Sequence, residues 1–148
     1  MLWRLTRFTI RALDRIADRV LGNEGRPEHQ RTGRRGEEEA YFRLRELGYV
    51  MVARNYRSPR RRGEIDLIGW DGDVLCFVEV KTRTSHDVKP AEAAVNHHKQ
   101  YELRAVAREY LRRLPSEQNW RFDMASVYFE NAAGHVRFEL FKNAFPVT

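Results

Sequence analysis

Apolar positions recur along this chain in two rhythms, and the switch between them marks out the elements. Over residues 1–21, Leu2, Leu13, Ile16, Ala17 and Val20 share one side of a 3.6-residue period, with Arg4, Arg7, Arg11, Arg15 and Arg19 opposite. That spacing predicts an amphipathic helix. Residues 22–35 are polar, rich in glycine and charge, and contain Pro27, so they read as a linker. A helix is expected over residues 36–48, opened by acids and closed by Gly48, with Ala40, Tyr41, Leu44 and Leu47 as its apolar stripe. A longer helix is expected over residues 91–114, with Val95, Leu103, Val106, Tyr110 and Leu114 on one side.

Between these helices the rhythm shortens. Residues 49–55 read as a strand, a basic loop follows, and Gly63 to Arg83 reads as a hairpin. "RFDMASVYFE" and "HVRFELFKNAF" read as two final strands joined by a turn at residues 131–134. The order is αβββαββ behind an appended N-terminal helix, which predicts an α/β domain with one mixed sheet flanked by helices. The expected division is residues 1–32 for helix and linker and 33–148 for the domain.

The hairpin "GEIDLIGWDGDVLCFVEVKTR" carries three charges among residues that otherwise suit a core. With Asp71-Gly72 as a two-residue turn, Trp70 pairs with Asp73 and Asp66 with Phe77. Asp66, Phe77, Glu79 and Lys81 then share one face, and Glu79 is the diagonal neighbour of Asp66, roughly 7–8 Å away. A three-residue turn would put the two acids on opposite faces. The other face of the second strand is Val74, Cys76, Val78 and Val80, so the strand is apolar on both faces over most of its length and reads as central. Charges there would each cost several kcal/mol if buried alone. A shared cation compensates them; solvated charges on a surface hairpin are the plainer alternative. By helical angle, Glu37 faces the sheet while Glu38 and Glu39 point away, and Lys99 falls near the apolar face of the long helix.

Composition narrows the chemistry. The 148 residues carry a net charge of +6, which favours a polyanionic partner. The one cysteine, Cys76, excludes an intrachain disulfide and a cysteine-rich zinc site and fits a reducing cytoplasm. The five histidines lack metal-ligand spacing, and no apolar run is long enough to span a bilayer. The first helix is not a secretory signal, because charges interrupt it. It suits docking on the domain or on a partner, or peripheral membrane contact through residues 1–21, where Asp14 and Asp18 dilute the basic face. Mg²⁺ (or Mn²⁺) takes oxygen ligands from one or two carboxylates and binds phosphate, which suits Asp66 and Glu79 with Glu37 beside them. Lys81 is placed to orient water or stabilise developing negative charge. Arg54, Arg57, Arg60, Arg61, Arg62, Arg83 and Lys99 offer phosphate contacts with nucleic acid, DNA first.

These residues resemble the PD-(D/E)xK nuclease core, with the acid pair and lysine at Asp66, Glu79 and Lys81. More closely, the chain is similar to the YraN-like family of small bacterial proteins, whose fold resembles that of archaeal Holliday-junction resolvases. The resemblance covers about residues 33–129 through "GRRGEEEA", "GYVMVARNYR", the hairpin, "EAAVNHHK" and "RFD". It implies a restriction-endonuclease-like fold and a metal-dependent nuclease site at Glu37, Asp66, Glu79 and Lys81, with Lys99 contributing. The leading expectation is a nuclease acting on DNA, with branched or flapped structures as substrates, and a resolvase-like role needs a homodimer. Asp123 matches a family position and reads as structural or as a strand-end cap. The family usually has a shorter loop than "SPRRR" and often a glycine near Lys89. A non-catalytic nucleic-acid-binding protein with the same fold is the alternative.

Overall fold

The computed structural model describes residues 27–84, 95–130 and 134–148. The expected helix over residues 1–21 and the loop around Lys89 lie outside them. The elements run α1 (Glu28–Glu46), β1 (Val50–Arg57), β2 (Glu64–Asp71), β3 (Val74–Thr84), α2 (His97–Leu111), β4 (Asn119–Phe129) and β5 (Val136–Phe145). The five strands form one mixed sheet in the order β1-β2-β3-β4-β5. Only β3 and β4 are parallel, as the α2 crossover between them requires. The fold is therefore the expected α/β arrangement, with β3 at the centre. By contacts the chain divides into Met1–Arg34 and Arg35–Thr148, and the sheet belongs to the second unit. Among the described residues no helix is long and apolar enough to cross a membrane.

Alternation along β3 builds a core on each face of the sheet. Cys76, Val78 and Val80 pack with Ala40 and Leu44 of α1 and with Leu67, Ala125 and Val127. Leu75 and Phe77 pack with Leu103, Val106 and Ala107 of α2 and with Phe122 and Phe145. Each large side chain buried this way contributes on the order of 1.5–3 kcal/mol. Rings lock the α2 side: Phe77 meets Tyr110 and Trp120 edge-on, and Phe122 stacks on Phe145 at 4.4 Å between centroids.

The helix ends correct the sequence reading in three places. α1 begins at Glu28, so residues 28–35 are helical and not linker; the Pro27 carbonyl accepts from the Gln30 and Arg31 amides at that end. Leu47 is exposed and lies off the stripe, because Gly48 at φ +93° turns the chain and Phe42 is buried in the helix instead. α2 begins at His97, not at residue 91. Asn96 caps it from an extended conformation, its side chain accepting from the Lys99 amide.

The hairpin register also differs from expectation. Asp71 pairs with Val74, so Gly72-Asp73 is the turn, with Gly72 at φ +60° in the first central position. Asp71 is drawn instead toward Arg121 and Lys142, from which it accepts at 2.6 and 2.8 Å. These two cations hold its carboxyl below the usual range. The shift is two residues, so the paired residues Leu67–Asp71 and Val74–Val78 keep their predicted faces.

A polar network ties this corner to β4 and β5. Asp123, fully buried on the α1 face, accepts from Tyr49 Oη, Arg121 Nε and the Asn143 amide at 3.2, 2.8 and 3.1 Å. It lies within β4, so it is structural and not a strand-end cap. Burial and then the Asp123 charge push the Tyr49 hydroxyl upward, keeping it a neutral donor.

Candidate active site at the end of the central strand

The register brings the predicted acids closer than expected. The last regular pair of the hairpin is Leu67 with Val78. Continued one step, this register sets Asp66 opposite Glu79 and not diagonal to it, and the Glu79 charge acts on the Asp66 carboxyl. There β2 departs from strict alternation. Ile65 and Ile68 both pack in the α2-side core while Leu67 packs in the other. The Val80 amide, released from the ladder, donates to Asp66 Oδ2 at 2.7 Å. A side chain thus replaces a strand as the acceptor, and this fixes the Asp66 carboxyl beside β3.

Glu79 is 5% exposed. Its Oε1 faces Lys81 Nζ at 3.1 Å and Lys99 Nζ at 3.7 Å. Its Oε2 is buried without a hydrogen-bond partner among the described residues. The Asp66 carboxyl is enclosed although the residue keeps some exposure. Its ordinary value of 3.8 is pushed up to about 8, first by burial and then by the Glu79 charge; Glu37 adds to the rise, while the Val80 amide and Lys99 oppose it. Two enclosed carboxyls in mutual repulsion, one with an empty acceptor, form a site short of positive charge despite two lysines.

Glu37 stands at the edge. Asn55 Nδ2 donates to Glu37 Oε2 and to Glu64 Oε1, both at 2.9 Å. Asn55 adopts φ +48°, a left-handed backbone that asparagine tolerates better than most residues. Gly36 allows the helix to reach this close, since a Cβ there would meet Thr82 Oγ1 at 1.8 Å. Glu39 is buried as well, so Glu37 is not the helix's sole inward acid; Arg43 Nε donates to Glu39 at 3.0 Å.

The donor set suits a hard cation. Glu79 Oε2 is an unsatisfied oxygen, and Asp66 beside it carries a carboxylate whose ionisation a cation would favour. Among the described residues no three His, Cys, Asp or Glu side chains converge on one point. Glu37 stands beside the two acids without joining them in a cluster of three, its carboxyl held by the Asn55 amide. That matches a cation keeping several waters.

The basic residues divide. Arg60, Arg61 and Arg62 are exposed on the β1–β2 loop. The base of that loop is pinned to α2, because Ser58 Oγ donates to buried Glu109 Oε2 at 2.6 Å and accepts from the Arg60 amide. Arg57 is ion-paired with Glu64, and Arg54 lies over the Tyr41 ring at 5.0 Å. Arg83 is half-buried on β3, two residues beyond Lys81. Sequence reasoning missed Asn55 and Ser126. Ser126, fully buried with a hydroxyl that has no partner among the described residues, is visible in hindsight as the polar member of the Phe122, Met124, Ser126, Tyr128 alternation.

Known sequences place the chain in a family. The description "Uncharacterised protein family UPF0102" matches residues 36–127, more than half of the chain. A UPF0102 protein of Koribacter versatilis (strain Ellin345) is 49% identical over 131 residues, covering 88% of this chain and 90% of the relative. One of Solibacter usitatus (strain Ellin6076) is 48% identical over 121 residues, covering 80% and 88%. One of Desulforamulus reducens is 36% identical over 115 residues, covering 76% and 93%. The matched span holds Glu37, Asp66, Glu79, Lys81 and Lys99, and the chain belongs to the UPF0102 family, the YraN family that its motifs resemble.

Proposed function

We propose that this chain is a metal-dependent nuclease that hydrolyses phosphodiester bonds in DNA, with branched or flapped structures as preferred substrates. The observation that carries the reading is the meeting of Asp66, Glu79 and Lys81, with a buried acceptor on Glu79 left open. A binding protein has no use for enclosed carboxylates that repel phosphate. A divalent cation held by Asp66 and Glu79 supplies Lewis-acid polarisation of a phosphoryl oxygen and a bound water of lowered pKa. Asp66 is oriented for this by the Val80 amide. Lys81 and Lys99, held by Glu79 Oε1, present ammonium donors to the charge that develops on the phosphoryl oxygens. Glu37, fixed by Asn55, is placed to hold a water at the rim. The exposed arginines of the pinned loop bind flanking phosphates without reading sequence.

The test is cleavage of labelled duplex, single-stranded, flapped and four-way DNA with Mg²⁺ or Mn²⁺. The wild type is expected to cut at least one substrate. Asp66→Ala should abolish cutting, and Lys81→Ala should slow it at least about a hundredfold. If no substrate is cut while wild type and Asp66→Ala bind DNA equally, the catalytic reading gives way to a binding protein.

A further inference from the structure

β3 and β4 run parallel in unbroken register from Val74–Asn119 to Thr84–Phe129. Cross-strand partners share a face. On the α2 side, the apolar pair Phe77–Phe122 gives way to Glu79–Met124, then Lys81–Ser126, then Arg83–Tyr128. On β3 and β4 along this face, three buried polar atoms lack hydrogen-bond partners among the described residues: Glu79 Oε2, Ser126 Oγ and Arg83 Nε. Only the first is explained by a cation between Asp66 and Glu79.

Ser126 is the informative member. It is 0% exposed, on a strand whose neighbouring positions are all buried. An orphaned buried hydroxyl costs on the order of 1–3 kcal/mol, and alanine at the same position would avoid that cost. Ser126 Oγ and Arg83 Nε are both donors, and Lys81 beside Ser126 is a cation. Glu139, the neighbour of Ser126 on β5, does not take the hydroxyl: it is engaged by Arg137 and by Tyr128 Oη. Ser126 lies across from Lys81, and Arg83 follows two residues further along β3, so two unsatisfied donors and an ammonium share one stretch of this face, a donor set that suits the oxygens of a tetrahedral oxyanion.

We propose that Ser126 and Arg83 form a binding subsite for a second phosphoryl group, next to the one held at Glu79 and Lys81. The subsite rests on the nuclease reading only for the source of that group, which is a phosphodiester of DNA. Free phosphate shares the same chemistry, so both serve as probes. Binding of a labelled duplex oligonucleotide by fluorescence anisotropy, and of inorganic phosphate by calorimetry, would be compared for wild type, Ser126→Ala and Arg83→Gln, with melting temperatures for each. Ser126→Ala is expected to melt no lower than wild type yet bind both probes at least about tenfold more weakly, and Arg83→Gln to weaken both similarly.

Unchanged affinity in Ser126→Ala overturns the subsite, as does a wild type that binds neither probe. If Ser126→Ala fails to fold, Arg83→Gln decides alone, and wild-type affinity in that variant overturns the proposal. Ser126-dependent phosphate binding by a protein that cuts no DNA upholds the subsite and removes the nuclease reading. Cleavage and binding by Ser126→Ala equal to wild type do the reverse.

Discussion

Asp123 and Glu79 are buried carboxylates on neighbouring strands of one sheet, one register step apart, on opposite faces. Asp123 receives donors from a tyrosine, an arginine and a backbone amide. Glu79 has two lysines on one oxygen and, among the described residues, no partner for the other, with a second acid acting on it. Burial alone does not separate a structural acid from a functional one. The difference lies in unmet demand: a completed set of donors stabilises the fold, whereas an incomplete one marks where something outside the fold binds.

Breaking the completed network should have the largest effect. Asp123→Ala leaves Arg121 with Asp71 and the Tyr49 hydroxyl, its buried-side Nε unpaired. We expect a loss of about 3–5 kcal/mol in urea denaturation. A loss below about 1 kcal/mol would mean that water replaces the carboxylate and that the contrast between the two acids is false.

Changing the incomplete site should act in the opposite direction. Asp66 titrates at about 8 in the folded protein against 3.8 ordinarily. The folded state therefore holds a proton that the unfolded chain has released, and stability declines as pH rises from about 4 to about 8. Asp66→Asn should flatten that decline. In chelator at pH 8 it should be more stable than wild type by on the order of 2 kcal/mol. Equal pH slopes in the two proteins would show that the Asp66 carboxyl is not enclosed.

Smaller changes sharpen the comparison by moving the surroundings. Gly36→Ala must displace Thr82 and should cost about 1–3 kcal/mol, read as a lower melting temperature. An unchanged melting temperature would mean that helix and strand part freely. Ser58→Ala removes the hydroxyl that meets Glu109 and should cost about 1 kcal/mol. Its DNA affinity should also fall if the pinned loop presents Arg60, Arg61 and Arg62; undiminished affinity would remove the loop from the interface.

Much of this was legible before any coordinates. Alternation in "VLCFVEVK" placed β3 at the centre and both its charges on one face. Helical angle brought Glu37 to the rim of the site and Lys99 to Glu79. The hairpin register was misread by two residues, because a local turn signal took no account of Arg121 reaching Asp71 from fifty residues away. Parity survived that error, and with it the convergence of Asp66 and Glu79. The start of α2 was misplaced because Asn96 is an ordinary polar residue until its side chain is seen capping the helix. Ser126 stood in the sequence only as a polar member of an apolar alternation, because its meaning depends on the partner strand beside it and on the bond it does not make.

Gly36 bears on how this family can vary. Helix and strand approach so tightly there that a single methyl group would force them apart. The acid on the very next residue moves with that approach. Evolution can therefore retune the reach of Glu37 without touching Glu37, simply by trading the hydrogen at position 36 for carbon and letting the helix ride outward.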